Sequence, residues 1–257
     1  MFCYRSKAEF TDCKVSDHRP QETGGEAVSI CFLKVRIMSA EDAPPFPLEL
    51  TNYATQERQW PTTGNHILAQ YDDTSIVVYQ AFKPSIAKQI VHHQCYHHSQ
   101  CIAAGVSMQR MTWIKPNFLW MMFRSGWASK PNQERILAIR LSRQGFEEIL
   151  SAAVMSRDLE GKGQGKDDLV RLQWDPDHYP DGTKVGCYSD GRRAIQLGIR
   201  GEMFARMSEK FIVRVDDVTE FVVAMRERVG KEDLLVPVET VYCVESEELA
   251  KKICITS

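Results

Sequence analysis

Residues 110–127 read RMTWIKPNFLWMMFRSGW, and this stretch decides the fold class. Met111 to Ile114 is a short run of strand type. Lys115-Pro116-Asn117 interrupts it, because proline brings no N–H to a ladder and suits the first turn of a helix. That helix runs through Phe118, Leu119, Trp120, Met121, Met122 and Phe123 and stops near Gly126, a residue that tolerates the left-handed helix terminus. It is apolar nearly all round, which requires enclosure by other layers, since a surface helix keeps one polar face. Trp113, Trp120 and Trp127 recur every seven residues. Core packing and stacking on a flat ligand are both open to them.

Outward from this stretch, short strands alternate with single helices. Upstream, Ser75 to Phe82 is a β-branched and aromatic run of strand length, and Lys83-Pro84-Ser85 opens a short helix from Ile86 to Val91. Downstream, Arg135 to Leu141 is a central strand, and Ser142 caps a helix from about Gly145 through Phe146, Ile149, Leu150 and Val154. Glu160 to Asp168 is a Gly- and Lys-rich loop before an apolar run, Leu169 to Trp174. Ala194 to Ile199 is a strand, Gly201 to Met207 a helical turn and Phe211 to Val215 a strand, after which Thr219 caps a helix through Phe221, Val222 and Met225. The tail from Leu234 alternates strand and short helix. This order indicates one α+β domain over residues 66–257. Residues 1–65, with Pro20, Pro44, Pro45, Pro47 and Pro61 and one apolar run from Val28 to Ile37, read as a loosely ordered extension with at most one added strand.

The 257 residues are 43% hydrophobic and 26% charged, which excludes global disorder, collagen and a small disulfide scaffold. The formal charge of −2 excludes a whole-protein polycation, so nucleic-acid binding needs a local patch. One exists in the sequence. Between Arg110 and Phe146 seven basic residues face one acid, Glu134, a local charge of +6 amid tryptophans. Guanidinium groups pair with phosphate and indoles stack on rings, so a nucleic-acid or phosphorylated ligand fits this stretch; a strand and helix turning their charges to water fits it too.

The first twenty residues lack the continuous apolar segment of a secretory signal. The longest uncharged stretch, Gln89 to Gln109, is too rich in His, Gln and Ser to cross a bilayer. An intracellular protein, cytoplasmic or nuclear and without membrane contact, is the expectation. Its eight cysteines form no CxxC pair, so reduced thiols are expected. His92, His93, Cys95, His97, His98 and Cys101 crowd ligand types into ten residues. A tetrahedral metal site usually draws on two separated pairs, and an irregular surface loop is the alternative; no metal is assigned.

No phosphate-binding loop, dinucleotide fingerprint, zincin or serine-hydrolase motif occurs. Glu202 follows the strand ending at Ile199, a place from which a carboxylate can enter a cleft. A glutamate favoured by a helix dipole would sit there equally well. Asp216 and Asp217 face opposite sides of a strand and make a poor acid and base pair.

The stretch Arg110 to Trp127 resembles the signature of the family called domain of unknown function 4291. Tyr71-Asp72-Asp73, Val78-Tyr79-Gln80-Ala81-Phe82, Gln173-Trp174-Asp175-Pro176 and Arg193-Ala194-Ile195-Gln196-Leu197-Gly198 match further blocks in order, over roughly residues 66–245. The chain departs from the pattern between Val91 and Met108, and at Leu68, where arginine is expected. More remotely, the order of elements is similar to ADP-ribosyltransferases and RNA 2′-phosphotransferases. That resemblance implies an α+β fold with a split antiparallel or mixed sheet and packed helices. It also implies NAD as cofactor, the pyrophosphate on Arg110 and Lys115 and the nicotinamide against Tyr79 or Trp113. Glu202, with Gln196 as the other residue near that position, would stabilise an oxocarbenium-like state. Gln80, where those folds carry histidine or arginine, would anchor a ribose hydroxyl or the amide. Three functions follow as expectations: ADP-ribose transfer from NAD to a nucleic-acid or protein acceptor, a non-catalytic nucleic-acid or phospho-ligand binding module, and an RNA 2′-phosphotransferase.

Overall fold

The computed structural model describes residues 47–156, 168–186 and 190–256. Along the chain lie β1 (Leu50–Asn52), α1 (Tyr53–Glu57), β2 (Gly64–Asn65), β3 (Leu68–Ala69), β4 (Ser75–Phe82), α2 (Pro84–His93) and α3 (Ser99–Ala104). Next come β5 (Thr112–Ile114), α4 (Phe118–Ser125), β6 (Arg135–Ser142), α5 (Arg143–Ser151), β7 (Ala153–Met155) and β8 (Val170–Pro176). Then follow β9 (Arg192–Ile199), α6 (Gly201–Arg206) with a π-helical turn at Met207–Phe211, β10 (Ile212–Asp217), α7 (Thr219–Arg226), β11 (Leu235–Pro237), β12 (Thr240–Val241) and α8 (Glu247–Lys252).

Local chemistry accounts for the elements around the middle of the chain. Pro84 occupies the first turn of α2, and Gln94 closes it in the left-handed region at φ 55°. The Asn117 side chain caps α4 by accepting from Trp120 N at 2.6 Å, and Gly126 ends it at φ 58°. Ser142 caps α5 by accepting from Gly145 N. The helix stops at Ser151, three residues short of the sequence expectation. Val154 instead lies in β7, which pairs in parallel with β8.

The architecture is α+β with several sheets. β10, β6 and β4 form an antiparallel sheet, with β4 and β6 in register from Ser75↔Ser142 to Phe82↔Arg135. A mixed sheet has the order β2-β9-β8-β7, with β5 added to β9. Alternate residues of β4 and β6 serve two cores, as a pleated strand dictates. Ile76, Val78, Leu137 and Ile139 pack with Ile90 of α2, Phe146 of α5, and Leu172 and Leu197 of the mixed sheet. Val77, Tyr79, Ile136 and Ala138 pack with Phe118, Met122, Val222 and Val236. Enclosure of α4 follows: Phe118 to Met122 are all buried.

Residues 47–65 belong to the same compact unit, which begins at Pro47. β1 pairs with β11, β2 pairs with β9, and Trp60 is buried with its indole N–H on the Glu239 carbonyl at 2.8 Å. The expected strand Val28 to Ile37 and all of the expected loop Glu160 to Asp168 except Asp168 lie outside the described residues. Among the described residues no helix is long and apolar enough to cross a membrane.

Candidate functional site

Among the described residues one backbone bridge joins the three-stranded sheet to the mixed sheet. Tyr79 of β4 and Lys115, just after β5, exchange both backbone hydrogen bonds, Tyr79 N to Lys115 O at 2.7 Å and Lys115 N to Tyr79 O at 3.1 Å. Pro116 cannot donate, so the ladder cannot continue past it, and the chain turns into α4. On the other side of the bridge β4 and β5 are not joined by a ladder, and the Trp113 carbonyl and Thr112 hydroxyl need donors. Gln80 supplies them. Its Nε2 donates to Thr112 Oγ1 at 2.7 Å and to the Trp113 carbonyl at 3.1 Å, and its Oε1 accepts from the Tyr96 hydroxyl. With 3% of its surface exposed, Gln80 is a strut across the split. Replacing it by leucine should cost roughly 2–3 kcal/mol in denaturant unfolding, because the Tyr96 hydroxyl and the Trp113 carbonyl lose their partner. A cost below about 0.5 kcal/mol would remove the strut from the account.

The split opens into two adjoining cavities, each of about 210 Å³. Lys115, Arg124, Trp113 and Gln80 line the first; Tyr96, Phe204, Ile86 and Arg110 line the second. Phe82, Met111 and Thr112 belong to both. The described walls contain no carboxylate. Lys115 is 6% exposed, and its Nζ has only a long contact, 3.4 Å, to the Trp113 carbonyl. Burial, reinforced by the Arg124 guanidinium and opposed by Asp175, pushes its amine down to about 7. Arg124, on the exposed side of α4, makes no ion pair with a described carboxylate. Asp175 stands behind the pair, half-buried on β8. Desolvation raises its carboxyl, while the hydrogen bond from Gln196 and the charges of Arg124, Lys115 and Arg193 pull it down.

The expected site residues separate into those at the cleft and those away from it. Gln80, Lys115 and Trp113 line the first cavity and Arg110 the second. Tyr79 does not reach either: it is wholly buried on the opposite face of β4, edge-on to Phe118 at 5.4 Å. Gln196 is occupied elsewhere, donating to Asp175 Oδ2 at 2.6 Å and to Gln173 Oε1 at 3.3 Å. Glu202 sits exposed at the start of α6 and lines neither cavity. Arg124 is one of the seven basic residues of the +6 stretch, whereas nothing in the sequence marks Thr112 or Tyr96 as site residues. Tyr96 lies inside the His/Cys segment, where it is the one tyrosine among four histidines. That segment forms the end of α2, a turn and α3; its His93 and His98 rings stack at 3.5 Å, and no group of side chains among the described residues could hold a metal ion.

The +6 stretch disperses in space. Arg135 pairs with Asp217 at 3.4 Å, Arg140 with Asp72 at 3.2 Å and Arg143 with Glu245 at 3.9 Å. Lys130 donates to the Phe123 and Arg124 carbonyls at the end of α4. Arg110, Lys115 and Arg124, those left for a ligand, are the ones at the cavities.

The family model with the description domain of unknown function (DUF4291) matches residues 66–242. The chain belongs to that family. In this DUF4291 chain the match takes in β4, β5, α4 and β9, hence every residue named at the two cavities. The sequence matches no curated protein.

Proposed function

We propose that the split binds the phosphate groups of a nucleotide-type ligand, NAD being the one implied by the resemblance of element order to ADP-ribosyltransferases. The observation that carries this reading is Lys115: a buried amine opening on a cavity, beside Arg124, which makes no ion pair with a described carboxylate, on walls whose described residues include no acid. A cation kept out of water without a close carboxylate costs stability, and an incoming anion relieves that cost. Arg124 adds a planar fork suited to phosphate oxygens. Binding of a phospho-ligand is favoured over ADP-ribose transfer, because the carboxylate expected to assist glycosidic cleavage, Glu202, does not line the cleft. A broad nucleic-acid surface has less support, since Arg135, Arg140 and Arg143 are already engaged by acids.

Calorimetry with NAD and with pyrophosphate tests the reading. Both should bind, and Arg124→Ala should weaken both by at least about tenfold, a loss near 1.4 kcal/mol. The same change should leave Tm almost unmoved, because the side chain is exposed and outside the described ion pairs. Heat from neither compound at millimolar concentration would end the proposal. Transfer of label from NAD to a nucleic acid or protein, if seen, must survive Gln196→Ala and Glu202→Ala for the binding reading to stand without those residues as catalysts.

A further inference from the structure

We propose that Lys115 is a nucleophile that forms an imine with the open-chain aldehyde of a phosphorylated sugar held in the first cavity. This rests on the phosphate reading of that cavity and adds the reacting group of its ligand: an aldose carrying phosphate, free or as the terminal ribose of a nucleotide. Position is the first argument. The Lys115 backbone is fixed by both hydrogen bonds to Tyr79, and Pro116 follows it, so the side chain enters the cavity from a rigid point. The contact that Nζ makes, 3.4 Å to the Trp113 carbonyl, engages an N–H and leaves the nitrogen lone pair open to attack a carbon. At about 210 Å³ the cavity falls below the roughly 300 Å³ at which pockets for whole drug-sized ligands begin, which suits the sugar-phosphate end alone.

The second argument is the company of the amine. A lysine becomes nucleophilic at neutral pH when burial or a neighbouring cation disfavours its protonated form, and both act here. Lys115 is buried and shares the cavity with Arg124. Asp175, the acid whose charge reaches it, is engaged from β8: Gln173 Nε2 donates to its Oδ1 at 3.1 Å and Gln196 Nε2 to its Oδ2 at 2.6 Å. With the amine at about 7, neutral and protonated forms coexist near pH 7, and Arg124 keeps its charge for the phosphate throughout. The Thr112 hydroxyl has no base among the described wall residues, so it is no rival nucleophile. Its Oγ1 accepts the Gln80 amide at 2.7 Å, which leaves its O–H to donate to the aldehyde oxygen.

The Nζ lone pair forms a bond to the aldehyde carbon while the C=O π pair moves to oxygen, which takes one amine proton and gives a carbinolamine. That oxygen then leaves as water with the second amine proton, and the C=N bond closes. Aldehyde and amine become imine and water, with no oxidant or reductant.

Ribose 5-phosphate and ADP-ribose, each with cyanoborohydride to reduce the imine to a stable secondary amine, test this on the unaltered protein, the labelled lysine being located by mass spectrometry. At pH 7 Lys115 should be labelled at least about tenfold faster than any other lysine, at a rate that levels off above about pH 8 instead of rising to pH 10. Pyrophosphate should block the labelling, ribose without phosphate should label at least about tenfold more slowly, and Arg124→Ala should slow both phosphate-bearing sugars by about tenfold or more. Faster labelling by ADP-ribose assigns the aldehyde to a nucleotide, and faster labelling by ribose 5-phosphate assigns it to a free sugar phosphate. Heat from pyrophosphate in calorimetry, with Lys115 labelled no faster than the other lysines, would overturn the nucleophile alone. Rapid labelling of Lys115 by ribose and ribose 5-phosphate alike, with no heat from pyrophosphate, would overturn the phosphate reading and the phosphorylated class of sugar with it.

Discussion

Arg192→Met should lower the unfolding free energy by about 3–5 kcal/mol and Tm by roughly 10 °C. Arg192 Nε lies 2.6 Å from Asp177 Oδ2, and the two side chains are 4% and 1% exposed. Removing one charge strands the other where water cannot reach it, and this, rather than the net worth of the pair, sets the size of the loss. The guanidinium has further duties. It donates from Nη1 to the Pro61 carbonyl at 2.8 Å and lies 5.1 Å from the Trp60 ring centre. Arg192→Lys keeps the charge but not the fork or the planar face, so it should recover only part of the stability. Asp177→Asn should cost a similar amount to Arg192→Met, and the double variant much less than the sum, as a coupled pair requires. Losses below about 1 kcal/mol for both single variants would contradict a stranded-charge account.

That ion pair also shows what a sequence reading reaches and what it misses. β4, β5, α4 and β6 were legible because their signals are local: a β-branched run, a proline that ends a strand, an asparagine that caps and a glycine that stops. The placement of residues 47–65 was not. Their anchors are Arg192 on Pro61, and Gln56 and Trp60 on the Glu239 carbonyl, partners up to 183 residues away in the chain. Proline-rich composition looks the same in a free extension as in a segment held by such distant groups. Charge was misleading for the same reason. The arginines of β6 cluster in sequence, but pairing across the sheet and beyond it brings Asp217 and Asp72 to them.

At the candidate site the limit was strand parity. Ile76, Val78 and Gln80 point one way from β4, Val77 and Tyr79 the other, and both faces are apolar because both meet a core. Nothing in the run says on which side the sheets divide. Tyr79 therefore looked as able as Gln80 to meet a ligand, and the bridge with Lys115 decides between them. Glu202 was placed by its nearness in sequence to the end of β9, yet β5 covers that end, pairing Thr112 with Ile199, and the cavities lie along β5. Lys115 was legible as a basic residue before a proline; its burial was not, since that depends on α4 and β8 closing behind it.

Lys115→Met should move stability and ligand binding in opposite directions. The amine's value of about 7, against an ordinary 10.5, means that the folded protein binds its proton less well than the unfolded chain does. The folded-state penalty is present in full below about pH 7 and is relieved as pH rises toward 10.5, where neither state holds the proton. Stability in the unaltered protein should thus gain a rising contribution between those two pH values. Methionine, apolar and of similar length, carries no such penalty, so the variant should be roughly 2–4 kcal/mol more stable at pH 6, with the gain fading toward pH 10. Phosphate-bearing ligands should meanwhile lose at least about tenfold in affinity, because the central charge of the first cavity is gone. A residue kept only for packing would show the reverse, a loss of stability with binding untouched. Unfolding by urea at pH 6, 8 and 10, paired with pyrophosphate calorimetry at pH 7, distinguishes the two: a variant less stable than the parent at pH 6 would mean that the lysine is already compensated in the fold and is not waiting for an anion.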